Sequence, residues 1–156
     1  MKSFFFINKV LFLSIFSLLF VFILHYDYGI IPCKICIWQR WPHIFNIFIA
    51  LIIISSSSIP NYIMVIGLIN MFLAFILALY HYGLEQNLWN NVFSCGGNLD
   101  IKDLSTEELL KNLNNTPITN CELDAWNFLN LSLSGWNMVI TVLMIIGWFY
   151  LIKSRR

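Results

Sequence analysis

Four long apolar stretches, separated by polar breaks, organise this chain. Val10 to Tyr26 is a run of Ile, Leu and Phe. Trp41 to Ile59 is apolar until Ser55-Ser56-Ser57-Ser58. Tyr62 to Tyr82 is the cleanest run, and Trp136 to Ile152 is the last. Each is too long and too uniformly apolar for a surface helix, and a bilayer span needs about 20 such residues. A single run of this length crosses as a helix, because only then do its backbone bonds close internally. The pattern predicts an all-α membrane protein. It would be a single domain over residues 1–156, a bundle of four spans at 10–26, 41–59, 62–82 and 136–152, with polar loops at 27–40 and 83–135.

The ends of the first run bear on whether it is kept. Lys2 and Lys9 before an apolar run resemble a secretory signal peptide, but the run exits into His25-Tyr26-Asp27-Tyr28 with no small-x-small site. It reads as a retained span. The long loop carries signals of its own. Ser105-Thr106-Glu107-Glu108 is a capping box flanked by Leu104 and Leu109, which predicts a short helix through Leu113. Trp126, Leu129 and Leu133 recur at helical spacing, which predicts a second short helix lying in the membrane interface.

Composition agrees with the spans. The chain is 59% hydrophobic and 11% charged, whereas soluble domains carry about 25% charged residues. A net charge of +1 offers no nucleic-acid-binding surface. The phosphate-loop, dinucleotide and His-Glu-x-x-His patterns are absent from the sequence, which removes the usual nucleotide and zinc-hydrolase readings. Charge placement then orients the bundle. Lys2 and Lys9 precede the first span, and Lys153, Arg155 and Arg156 follow the last. Residues 83–135 hold seven acids against two bases. Basic residues beside spans stay on the cytoplasmic side, so both termini are expected there and both polar loops on the outer side.

Those loops carry all four cysteines. Cys33 and Cys36 form Pro32-Cys33-Lys34-Ile35-Cys36, while Cys95 and Cys121 stand 26 positions apart. On the outer face they meet an oxidising compartment, where disulfides persist. Two dithiols on one face can bind metal, staple loops or pass electrons. Zinc fits poorly, because only one pair has Cys-x-x-Cys spacing. Stapling by one disulfide per loop is the stronger rival to electron transfer. Pro42, if it lies in the first turn of the second span, puts Cys33 and Cys36 at a helix N-terminus. The helix dipole and a nearby cation both favour thiolate there. Arg40 would lie one turn beyond Cys36, although a lone Arg at a membrane boundary more commonly snorkels.

Tyr26, Tyr28, Trp38, Trp41, Tyr80 and Trp136 are among the aromatics crowding the same boundary. Interfacial belts account for any one of them, but their number suits a flat, apolar, ring-shaped ligand. His25, His43 and His81 lie near it and read as helix-end residues, His81 being the best candidate for more. Asn46 and Asn70 read as interhelical hydrogen-bond partners.

Ile31-Pro32-Cys33-Lys34-Ile35-Cys36-Ile37-Trp38-Gln39-Arg40 resembles the Pro-Cys-x-x-Cys-x-x-Gln/Glu-Arg signature of the disulfide bond formation protein B (DsbB) family. Tyr80-His81-Tyr82-Gly83-Leu84-Glu85, with Trp89 and Cys95, resembles a Tyr-His-x-Gly-x-Glu segment of one branch. Cys121 to Leu129, with Gly135-Trp136-Asn137, resembles the stretch leading into that family's last span. The resemblance implies a bacterial inner-membrane thiol oxidase with a four-helix bundle. Such an enzyme reoxidises a periplasmic thioredoxin-like dithiol protein of the DsbA type and passes two electrons to ubiquinone or menaquinone. It implies that Cys95 takes the partner's attack, that Cys121 is its pair and exchanges with Cys33, and that Cys36 faces the quinone as thiolate. Arg40 would stabilise that charge, and His81 would stand near the quinone. A thiol oxidoreductase of the vitamin K epoxide reductase type is the alternative enzyme, disfavoured by the Gln39-Arg40 and Trp126 segments. A non-enzymatic protein with structural disulfides is the other.

Overall fold

The computed structural model describes residues 2–56, 60–89 and 126–155. It contains four long helices, α1 (Lys2–Tyr26), α2 (Lys34–Ser55), α3 (Asn61–Glu85) and α4 (Leu133–Arg155). All four are long and apolar enough to cross a membrane. A two-residue antiparallel pair, β1 (Asn127–Phe128) with β2 (Leu131–Ser132), leads into α4. Each helix packs on two others, closing a ring in which α4 lies against both α3 and α1. Cys95, Cys121 and the expected helix at Ser105 to Leu113 fall outside the described residues.

The helices begin earlier than the apolar runs. α2 starts at Lys34 rather than Trp41, because a helix continues past the hydrocarbon slab wherever its backbone can still bond to itself. Pro42 is therefore well inside α2 and not in its first turn. Its missing N–H removes one intrahelical bond. Across the bundle, Asn70 Nδ2 of α3 donates to the Pro42 carbonyl at 2.9 Å and ties the two helices together.

The expected interfacial helix over Trp126 to Leu133 is a hairpin. Leu129 and Asn130 both take positive φ, 54° and 59°, as a two-residue turn of the primed type requires. Asn130 adopts that conformation readily, and Ser132 then caps α4 by accepting the Gly135 N–H at 3.2 Å. Trp126, Leu129 and Leu133 are spaced for a helix, but the chain reverses between them.

The core has an apolar half and a polar belt. Ile7, Val10, Met64, Met71, Met144 and Trp148 are buried together. Within them, Trp148 Nε1–H donates to Asn46 Oδ1 at 2.9 Å, and Asn46 Nδ2 donates to Ser14 Oγ at 2.6 Å. Asn46 thus ties α1, α2 and α4, as expected of an intramembrane amide. Gly67 of α3 leaves the room Trp148 occupies: a Cβ there would stand 2.5 Å from the indole. The ring is fully buried and pinned by Asn46, so it cannot yield. Gly67→Ala is expected to lower stability by a net 1 to 2 kcal/mol or so, the overpacking cost of about 1–3 kcal/mol exceeding any helix-propensity gain. Reversible unfolding in mixed micelles reads this, and an unchanged or raised midpoint would refute it.

Candidate functional site

α2 begins where the sequence motif sits. Cys33 is the N-cap of α2 in extended conformation, and its Sγ accepts the Cys36 N–H at 3.2 Å. This is the position at which a side-chain acceptor satisfies an orphan helix donor. The two sulfurs are unbonded thiols 3.0 Å apart. Cys33 is buried and Cys36 half-buried. The Cys33 thiol is pulled from its ordinary 9.0 down to about 4, chiefly by the Cys36 thiol hydrogen bond. Burial opposes this, and hydrogen bonding and charge from His81 reinforce it. The hydrogen bond between the thiols, the His81 ring and the helix N-terminus together favour one thiolate in the reduced pair.

His81 reaches this pair from α3. Its Nε2 is 3.6 Å from Cys33 Sγ and 3.9 Å from Cys36 Sγ. It is one turn short of the end of α3, and its ring is buried inward. The same nitrogen stands 3.6 Å from Glu85 Oε1, one helical turn on. Glu85 is held in turn where β2 runs into α4. Ser132 Oγ donates to Glu85 Oε2 at 2.5 Å, and Ser134 Oγ donates to the same oxygen. The hairpin thus brings two hydroxyls and a helix N-terminus to a carboxylate with little exposure, an arrangement that stabilises negative charge.

Behind His81 runs a chain of amides. Gln39 Nε2 approaches His81 Nδ1 at 3.2 Å and the Leu77 carbonyl at 3.3 Å. Asn137 Nδ2 donates to Gln39 Oε1 at 3.2 Å, and His43 Nε2 meets Asn137 Oδ1 at 2.9 Å. Gln39 and Asn137 appear in the sequence only as parts of the motifs, and Glu85, Ser132 and Ser134 carried no separate signal. For Glu85 the cue was its position four residues after His81.

Cys33, Cys36, Gln39, Arg40, His43 and His81 face one cavity of about 450 Å³. Its wall is aromatic: Phe20 meets Trp126 edge-on at 5.4 Å, Trp126 stacks on Phe128 at 5.8 Å, and Trp136 follows. Trp136 Nε1–H donates to the Phe128 carbonyl at 3.0 Å, tying α4 to the hairpin. The Arg40 guanidinium lies 5.1 Å over the Phe22 ring, a half-buried cation at the cavity wall. The structure brings together Cys33, Cys36, His81 and Arg40; Cys95 and Cys121 lie outside the described residues. Chemically the assembly is a dithiol with one stabilised thiolate, at the edge of an apolar chamber of ligand size.

Comparison with known proteins agrees with this chemistry. A protein of Rickettsia prowazekii (strain Madrid E), uncharacterized protein RP370, is 26% identical over 135 residues, covering 86% of this chain and 78% of the relative. No solved structure matches the chain. The model of the family "Disulfide bond formation protein DsbB" matches residues 4–151, nearly the whole length. This multi-pass membrane chain, with its dithiol at the head of the second helix, belongs to the DsbB family of disulfide-bond-forming oxidoreductases.

Proposed function

We propose that the protein is a quinone-dependent thiol oxidase of the bacterial inner membrane. It reoxidises a periplasmic thioredoxin-like dithiol protein of the DsbA type and delivers two electrons and two protons to ubiquinone or menaquinone. The observation that supports this most directly is the dithiol opening onto an aromatic-walled cavity between helices. Apolar walls with a few convergent polar groups fit a quinone head. When bound, the quinone supplies the two-electron, two-proton acceptor that no side chain can. Basic residues at the N-terminal end of α1 and the C-terminal end of α4 favour cytoplasmic termini, with the cysteine loops in the periplasm.

In this reading the partner's thiolate attacks Cys95, releasing Cys121, and the partner leaves oxidised. Cys121 attacks Cys33 and releases Cys36 at the cavity; Cys95 then attacks Cys121, restoring the Cys95–Cys121 disulfide and releasing Cys33. Each exchange is thiolate attack on a disulfide sulfur. Cys33 and Cys36 re-form their disulfide as their two electrons leave, so the pair ends as it began. His81 Nε2–H steadies the sulfur anion, and Arg40 holds negative charge at the cavity wall. Aromatic walls exclude water from both.

One observation favours a second reading. The donor atoms of Cys33, Cys36 and His81 lie within 4.8 Å of one another, close enough to share a metal ion. The deciding experiment is anaerobic turnover of the purified protein in detergent, with a reduced DsbA-type protein and a short-chain ubiquinone or menaquinone. Loss of quinone absorbance matched by partner disulfide formation is expected. No bleaching, together with stoichiometric zinc in the reduced protein, would replace the oxidase with a metal site.

A further inference from the structure

One backbone carbonyl sets the protonation pattern of two histidines. The Leu77 carbonyl only accepts, so the Gln39 atom beside it, at 3.3 Å, is the donating Nε2. That nitrogen also faces His81 Nδ1, which must accept, leaving the His81 proton on Nε2 toward the sulfurs. Gln39 Oε1 then accepts from Asn137 Nδ2, so Asn137 presents Oδ1 to His43. His43 donates from Nε2, and its Nδ1 in the neutral ring is a bare lone pair. That atom is buried and is the one such side-chain atom without a hydrogen-bond partner among the described residues. Buried acceptors are nearly always satisfied, and each exception calls for a ligand or a water.

His43 lines the same cavity as Cys36 and Arg40. It follows Cys36 by seven residues, two turns along one face of α2 and about 10 Å along its axis. A ring with oxygens at opposite ends can bridge that span, one oxygen toward the sulfurs and the other toward His43.

We propose that His43 Nδ1 accepts a hydrogen bond from a hydroxyl of the reduced quinone, making the cavity selective for hydroquinone over quinone. This rests on the quinone reading above. The oxidised ring carries no hydroxyl and gains nothing from a bare acceptor; the reduced ring has two O–H donors. Transfer of two electrons and two protons from a dithiol to the quinone creates the donor that His43 awaits. Selectivity of about tenfold would raise the two-electron potential of the bound quinone by about 30 mV, helping it oxidise a dithiol whose thiolate is already stabilised. His43 is thus a ligand-binding residue, with Asn137 and Gln39 as positioning residues.

The test is equilibrium binding to the fully oxidised, full-length protein in lipid nanodiscs, read anaerobically by tryptophan fluorescence. The probes are a short-chain ubiquinone, its hydroquinone and the hydroquinone dimethyl ether. The wild-type protein should bind hydroquinone about tenfold more tightly than either other probe. His43→Phe should abolish that difference, chiefly through weaker hydroquinone binding, and its continued binding of the quinone would show that the cavity is folded. His43→Gln keeps one donor for Asn137 and one acceptor for the ligand, and should restore part of the selectivity. Equal wild-type affinity for hydroquinone and its dimethyl ether would overturn the proposal without any variant. So would parallel loss of both affinities in His43→Phe, the mark of a residue that merely shapes the cavity. Binding of none of the three probes would instead remove the quinone reading itself.

Discussion

Cys36→Ser should abolish thiol-dependent quinone reduction, lowering turnover by at least about 1,000-fold, on the scale seen when a covalent nucleophile is removed. The size of the effect follows from stoichiometry. Passing two electrons from the Cys33–Cys36 pair makes a disulfide, and serine cannot form one. The variant is informative because it spares the rest of the site. A serine hydroxyl can still donate to Cys33 Sγ across the 3.0 Å gap, and the residue 36 N–H still donates at 3.2 Å. Cys33 should therefore remain a thiolate with no disulfide for Cys121 to attack, so a reduced partner should take up only the one Cys95–Cys121 disulfide, through a mixed disulfide at Cys95. Mass spectrometry of the trapped species and quinone absorbance, measured together, separate exchange from electron delivery. Normal bleaching in Cys36→Ser would show that the acceptor takes its electrons elsewhere and would remove the dithiol from the reaction.

The four helices were legible because a long apolar run in a bilayer has a single way to satisfy its backbone. Their starts were not, since apolarity reports the hydrocarbon slab and not where hydrogen bonding ends. Pro42 illustrates this: read from the apolar run it falls in a first turn, yet α2 already begins at Lys34. The dithiol's place at a helix N-terminus survives that change, with the Cys33 cap as its cause. Trp126 to Leu133 misled for a different reason. Apolar residues three and four apart suit one face of a helix, but they equally suit two short strands joined by a tight turn. Only Asn130 hinted at the left-handed conformation. His81 was underrated because its role is tertiary. It is near the end of α3 in sequence, but packing of α3 against α2 brings one ring nitrogen within 3.6 and 3.9 Å of the two sulfurs. Gln39 and Asn137 were visible as motif letters, whereas the hydrogen-bond direction they impose on two histidines exists only once α2, α3 and α4 are assembled.

His81→Phe should move the pH dependence of the dithiol rather than destroy the protein. The wild-type Cys33 thiol titrates at about 4, so its thiolate is fully formed from about pH 5 upward and lost as pH falls through about 4. Phenylalanine fills the volume of the buried imidazole but donates nothing. Three consequences act in one direction. Cys33 loses the N–H at 3.6 Å, burial continues to penalise its charge, and the Glu85 carboxylate loses the imidazole between itself and the sulfurs. Each favours thiol over thiolate, so the inflection must rise. Thiolate absorbance at 240 nm, titrated in the reduced protein, should show this directly. At pH 5 the rate at which the reduced protein attacks a small disulfide should fall about twofold for the first pH unit by which the inflection rises and by close to tenfold per unit beyond the second, and raising the pH to 8 should recover most of it. Glu85→Gln separates the contributions. It removes the carboxylate while keeping an oxygen for Ser132 and Ser134, and should leave Cys33 ionised at pH 5. If His81→Phe and the wild type titrate together, His81 is a packing residue, and the thiolate is held by Cys36 and the helix N-terminus alone. If activity is lost equally at pH 5 and pH 8 with the titration shifted, His81 acts on the acceptor side of the site as well as on sulfur.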